Sequence, residues 1–162
     1  MQQLLVALDG TPGSLKTIPY LARTLRGNDQ IRLWLFHVLA TASPNLLKKE
    51  EVQRIEQIQE DQPHLSGYFW TRQDQDKMNR AFQQATKLLL QNGFSEPRIK
   101  TWFGVESNET ARVILEQAQA LGCDTIVLGR RGLSRVKEFF LGSVSKSVLA
   151  QARGLTIWVV DE

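Results

Sequence analysis

Asp124-Thr-Ile-Val-Leu-Gly-Arg-Arg-Gly132, then nine residues, then Gly142-Ser-Val-Ser-Lys-Ser-Val-Leu149 is the stretch from which the fold is read. Thr125 to Leu128 is a short apolar run bounded by an acid and a glycine, which suits a buried strand. From Ser143 onward the apolar residues return at helical spacing. Gly129 and Gly132 therefore belong to a loop leaving a strand end, and Gly142-Ser143 opens a helix. Glycines admit φ > 0 and close approach of a backbone to an anion, while a helix start offers unpaired N–H groups and the positive end of its dipole. The spacing suits a polyphosphate gripped from both sides.

Four further strand-like runs lie outward from this stretch: Leu4 to Leu8, Ile31 to Val38, Ile99 to Phe103 and Thr156 to Val160. Several are apolar on both faces; Ile31, Leu33 and Leu35 alternate with Trp34, Phe36 and Val38. Strands of that kind, alternating with helices, predict an α/β domain whose parallel sheet is covered on both sides. The first helix opens with Thr11 as N-cap and Pro12 at its first position, continues through Leu15, Ile18, Leu21 and Leu25, and stops at Gly27. Pro19 predicts a kink or a late start. Met78, Ala81, Phe82, Ala85, Leu88 and Leu89 form the stripe of a better helix closed by Asn92-Gly93. Ser107 is the expected cap of a helix carrying Ala111, Ile114, Leu115, Ala118 and Leu121, ended by Gly122.

The chain of 162 residues is 42% hydrophobic and 23% charged, the make-up of a single domain spanning 1–162. Thr41 to Gln75 is longer than a crossover needs and reads as an insertion with a short amphipathic helix after Ser43-Pro44 and an aromatic cluster, His64 to Trp70. A net charge of +3 from 20 basic and 17 acidic residues is too balanced to point to nucleic acid. Cys123, the only cysteine, excludes an internal disulfide and a thiolate metal cage, and reads as a small buried hydrophobe. No run approaches the length of a membrane helix and the N-terminus lacks signal-peptide character, so a cytoplasmic protein is the default expectation.

A Walker A loop is missing, and the first strand ends in Asp9-Gly10-Thr11-Pro12-Gly13-Ser14 rather than a dinucleotide fingerprint. An acid there lies where open parallel sheets bind ligands. Asp9 is open to two roles, meeting a ribose hydroxyl or adenine edge, or capping the next helix together with Thr11. His37 and His64 have no partners at zinc-ligand spacing and read as structural. Glu106, Glu109 and Asp124 make no recognisable acid–base pair.

Gly-x2-Gly-x9-Gly-Ser, as Gly129, Gly132, Gly142 and Ser143, resembles the ATP-binding signature of the universal stress protein family. Leu8-Asp9-Gly10-Thr11, Phe36-His37-Val38 and Cys123-Asp124 through Gly132 resemble further anchors of that family in the same order. The resemblance implies an open five-stranded parallel sheet of order 3-2-1-4-5 and an ATP site above strands one and four. It places Asp9, with Gly10 and Thr11, and the backbone of Val38 at the adenosine end. Leu128 and Gly129 lie near the ribose, and Gly129, Gly132, Gly142, Ser143 and Val144 around the triphosphate, with Ser145 and the adjoining Arg130 and Arg131 beside them. Magnesium would accompany the nucleotide, and no metal-ligating residue is assigned. The implied role is nucleotide-dependent regulation or stress signalling by a homodimer joined through Leu155 to Val160. An ATPase or nucleotidyl-transfer enzyme on the same fold is the alternative. Of the basic residues around the motif, Arg130, Arg131, Arg135, Lys137 and Lys146, one or two could neutralise phosphate charge, the alternative for each being a solvated face. Leu133, Val136, Phe139 and Phe140 predict the buried side of a short helix between the two halves of the motif. Gly154-Leu-Thr stands where relatives usually place a proline before the last strand.

Overall fold

Side-chain alternation along β1 (Gln2–Ala7) divides the core in two, Leu4 and Val6 entering one apolar cluster and Leu5 and Ala7 the other. The computed structural model from which this is drawn describes residues 1–40, 72–106, 109–130 and 141–161. β2 (Ile31–Ala40) repeats the division, with Leu33 and Leu35 on the first side and Trp34 and Phe36 on the second. In β4 (Thr125–Gly129) every residue is buried. With β3 (Ile99–Glu106) and β5 (Thr156–Val160) these strands form a five-stranded sheet of order β3-β2-β1-β4-β5, parallel at each pairing. Both faces are therefore covered, and the apolar runs have their explanation.

The first face is closed by α1 (Pro12–Leu15), α2 (Thr17–Thr24) and α3 (Arg72–Gln91), which bring Ile18, Leu21, Met78, Phe82 and Leu89 onto the sheet. The second is closed by α4 (Thr110–Ala120) and α5 (Ser143–Gln151), through Ala111, Val113, Ile114, Ala118 and Val148. Each large apolar side chain taken out of water contributes roughly 1.5–3 kcal/mol, so the two clusters are the main stabilising term. β1 is central. Its neighbours, β2 and β4, are entered through helices on opposite faces, so the connections reverse direction between them and leave a crevice at the carboxyl end of the sheet.

Local sequence accounts for the element ends. Pro19 sits third in α2, within the first turn, where an amide has no intrahelical acceptor to lose. The expected late start is met by dividing the first helix into two at Lys16. α3 already includes residues 72–75, which the sequence had joined to the long insertion, and its predicted stripe from Met78 to Leu89 faces the core. Glu109 occupies the N-cap position of α4; Ser107, expected there, lies outside the described residues, as do 41–71 and the predicted short helix at 133–140. Gly122, at φ +66°, ends α4 in the left-handed region.

At the amino end of the sheet Arg98 is buried, donating from Nε to the Ile31 carbonyl at 2.8 Å and from Nη1 to Asp29 at 2.8 Å. Its guanidinium lies 4.7 Å from the centre of the Phe94 ring. A buried cation is tolerated because its donors are occupied. At the other end of β3, a Cβ on Gly104 would stand 2.6 Å from Phe36 Cζ and 2.9 Å from Val113 Cγ1. Phe36 is fully buried and its ring has no room to retreat. Gly104→Ala is therefore expected to cost about 1–3 kcal/mol through overpacking, read as a lower urea midpoint with an unchanged slope.

Candidate functional site

The crevice begins at the turn between β1 and α1. Gly10 adopts φ +72°, which reverses the chain directly after Asp9, and a Cβ there would lie 2.8 Å from Met78 Sδ. Asp9 Oδ1 accepts both the Thr11 amide at 2.9 Å and the Thr11 hydroxyl at 2.5 Å. Thr11 Oγ1 in turn accepts the Ser14 amide at 3.3 Å and caps α1. Ser14, buried, accepts the Asp9 amide at 3.2 Å. Asp9 thus has the capping role the sequence allowed, and performs it with one carboxylate oxygen. The turn is fixed from within.

This turn lies on the end of β4. A Cβ on Gly129 would meet the Gly13 carbonyl oxygen at 2.9 Å and Ser14 Cα at 3.0 Å. Both are backbone atoms, so the absent side chain of Gly129 is what lets α1 start against β4. Sequence reasoning assigned that glycine to ribose and phosphate and did not foresee the packing role. Nor does Gly129 appear among the glycines of positive φ, and Gly142 has φ −56°, so neither uses the left-handed freedom expected of the motif.

Beyond Gly129 the backbone is tied to α5. The Gly142 amide donates to the Arg130 carbonyl at 2.8 Å, and the buried Ser145 hydroxyl donates to the Gly129 carbonyl at 2.9 Å. Two donors that the sequence offered to a ligand are occupied in this way. Ser143 and Val144 lie in the first turn of α5, whose N-cap Gly142 makes no side-chain cap bond, and Val144 is exposed. The positive pole of α5 thus faces the crevice through those two residues. Gly132 and Arg131 fall outside the described residues.

The third wall is β2. Leu8 donates its amide to the Phe36 carbonyl at 2.8 Å before the chain turns away at Asp9-Gly10. Backbone polar groups two residues apart on a strand point toward the same neighbour, so those of Val38 are directed past the end of β1 into the crevice. His37, on the opposite face of β2 from Val38, donates from Nδ1 to the Leu8 carbonyl at 2.6 Å and stands edge-on to Phe103. Burial lowers its pKa below the ordinary 6.5, outweighing the Leu8 carbonyl and the charges of Asp9 and Asp74. The ring is thereby a neutral strut. Cys123 is buried, with its thiol pushed up to about 11 by burial and by Asp124, so it is inert as expected. Among the described residues no group of three or more His, Cys, Asp or Glu is placed to hold a metal ion.

Two consequences are measurable. Gly129→Ala is expected to lower stability by about 1–3 kcal/mol with no nucleotide present, because the clash is with backbone; an unchanged urea midpoint would remove the packing role. For His37 the folded pKa lies below the unfolded one, so the unfolded chain binds more protons in the window between them. Stability is fully present above pH 6.5 and falls as the pH drops from there toward the folded pKa. His37→Gln, which can still donate to Leu8, should flatten that fall in urea titrations at pH 7.5 and 5.5 (probe values on the order of one unit either side of the free imidazole).

The architecture recurs in solved structures. The hypothetical protein MJ0577 aligns with TM-score 0.68 and 19% identity over 99% of this chain and 96% of its own. A universal stress protein in complex with cAMP aligns with TM-score 0.65 and 18% identity over 99% and 97%. A universal stress protein family member from Arabidopsis thaliana with AMP bound aligns with TM-score 0.60 and 14% identity over 99% and 91%. At these identities the likeness establishes the fold. No curated protein matches the chain in sequence. The model of the universal stress protein family matches residues 1–159, and with that match over nearly its whole length the chain belongs to the universal stress protein family.

Proposed function

We propose that the chain binds ATP in the crevice between β1, β2 and β4 and acts as a nucleotide-dependent regulator in which occupancy, rather than turnover, carries the signal. The observation that carries this reading is the convergence, at the carboxyl end of the central strands, of the Asp9-Gly10-Thr11 turn, the outward-directed Val38 backbone and the start of α5 behind Gly142. Those are a polar edge for adenosine and an electropositive helix start for phosphate. Relatives of the same fold are complexed with cAMP and AMP, which favours an adenine nucleotide as the class of ligand.

In this reading Asp9 offers its second carboxylate oxygen to the ribose or adenine edge, with Gly10 and Thr11 framing it. Val38 contributes backbone to the base, and Leu128 and Gly129 lie under the ribose. Gly132, Gly142, Ser143 and Val144 enclose the phosphates, the amides of Ser143 and Val144 being donors and Ser145 holding α5 in place. The donor set suits a magnesium ion carried by the phosphate oxygens, since hard cations take oxygen ligands and magnesium keeps several waters. The Ser143 hydroxyl is the protein group suited to meet it. β5 at the sheet edge, with Val159 exposed and Trp158 edge-on to Tyr20, would join two copies.

The test begins with protein purified without added nucleotide, denatured and chromatographed, followed by calorimetric titration and a turnover assay with magnesium-ATP. Co-purifying adenine nucleotide or saturable binding is the expected result, with phosphate release slow or absent. Protein that is empty and does not bind added ATP overturns the reading, and rapid multiple turnover replaces it with the enzyme alternative. Gly132→Val is expected to weaken ATP binding at least tenfold, about 1.4 kcal/mol, with an unchanged thermal midpoint.

A further inference from the structure

Arg130 stands where three elements meet. Its amide donates to the Val160 carbonyl at 2.8 Å, its carbonyl accepts the Gly142 amide at 2.8 Å, and its guanidinium pairs with the Asp161 carboxylate. Register explains the pairing: Gly129 lies beside Val160, so Arg130 and Asp161 are the next cross-strand neighbours. Alternation along the strands places both on the face that Leu128 and Ile157 share with α4 and α5. Both side chains remain accessible, at 27% and 53%.

Asp161 lowers the positive charge of this corner. Arg130 is a permanent cation bonded through its backbone to the residue that opens α5, and the helix start is itself electropositive. Asp161 supplies a carboxylate that offsets them. A phosphate chain against Ser143 and Val144 would bring several negative charges to the same corner. Arginine pairs with phosphate as readily as with carboxylate, through the same planar fork of donors.

Resting on the phosphate-site reading above, we infer that Asp161 is a built-in competitor for Arg130, which makes the pair a determinant of how strongly the site weighs ligand charge. In the empty protein the carboxylate holds the guanidinium at the β5 edge. On binding, the phosphate chain takes the guanidinium over, and breaking the pair is subtracted from the gain. A half-exposed ion pair is a weak one, so the competitor tunes affinity without blocking the site. Ligands without phosphate do not engage it.

The experiment is calorimetric titration of the full chain with ATP and, separately, adenosine, using wild type, Asp161→Asn, Arg130→Gln and the double variant. Asp161→Asn is expected to tighten ATP about threefold, the scale of such a pair, and to leave adenosine unchanged. The gain should shrink as salt is raised. Arg130→Gln should weaken ATP and abolish the effect of Asp161→Asn in the double variant, whereas Arg130→Lys should preserve it. Asp161→Ser is the second variant should the asparagine fail to fold. An Asp161 substitution that leaves ATP affinity unchanged, shifts ATP and adenosine alike, or gives the same gain without Arg130 overturns the competitor while the phosphate site stands. Wild-type protein that binds adenosine as tightly as ATP, or binds neither, overturns the phosphate site and the competitor with it.

Discussion

The site depends on a contact between two pieces of backbone, the start of α1 resting on the bare Cα of Gly129. That contact brings the turn after β1 onto the end of β4, and the two loops on either side of the switch in strand order are thereby joined. Everything around it reinforces the same junction. Asp9, Thr11 and Ser14 lock the turn, Ser145 ties α5 back to the Gly129 carbonyl, and His37 fastens β2 to Leu8, the residue that follows β1. A crevice assembled this way is fixed before a ligand arrives, so little of the binding energy is spent on ordering it.

One consequence concerns how a glycine motif is interpreted. Gly129 would be retained by selection for packing even in a relative that had lost its ligand, because the clash it avoids is with Gly13 and Ser14. Gly142 spends its amide on Arg130 rather than on an anion. Ser143 and Val144, in the first turn of α5, are the motif positions on which the proposed phosphate contact rests. The described part of the motif thus meets a requirement for building the junction, to which the proposed phosphate contact would add a second.

Most of the fold was legible because it rests on short-range signals that tertiary packing does not overrule. Apolar alternation in Ile31 to Val38 announced a strand covered on both faces, and the Met78 to Leu89 stripe announced its helix. Pro19 announced the division between α1 and α2, since its ring forbids an interior position. The strand order came from resemblance, because register between distant segments leaves no local trace. The site was less legible for the same reason. That Gly129 faces Gly13, that Ser145 points back to Gly129, and that Arg130 meets Asp161 are all contacts across more than fifteen residues. The Arg98 anchor was missed likewise, its partners near Asn28 and Ile31 lying far back in the chain.

The same geometry shows how the titratable groups described around the crevice are already engaged. A general base needs a lone pair or carboxylate directed at the attacking group and free to change its protonation during the step. Here His37 has its Nδ1 proton committed to the Leu8 carbonyl, and burial disfavours the second proton it would have to accept. Asp9 has one oxygen committed to Thr11, and Glu109 accepts from Ser147 and Gln151 across the α4–α5 interface. Among the described residues these three groups are engaged in holding elements together. Donors that meet a bound anion equally in its ground state and in a transition state raise affinity without raising rate. In the proposed reading, occupancy is the output, and the Arg130–Asp161 pair would link the phosphate end of the crevice to the edge of β5.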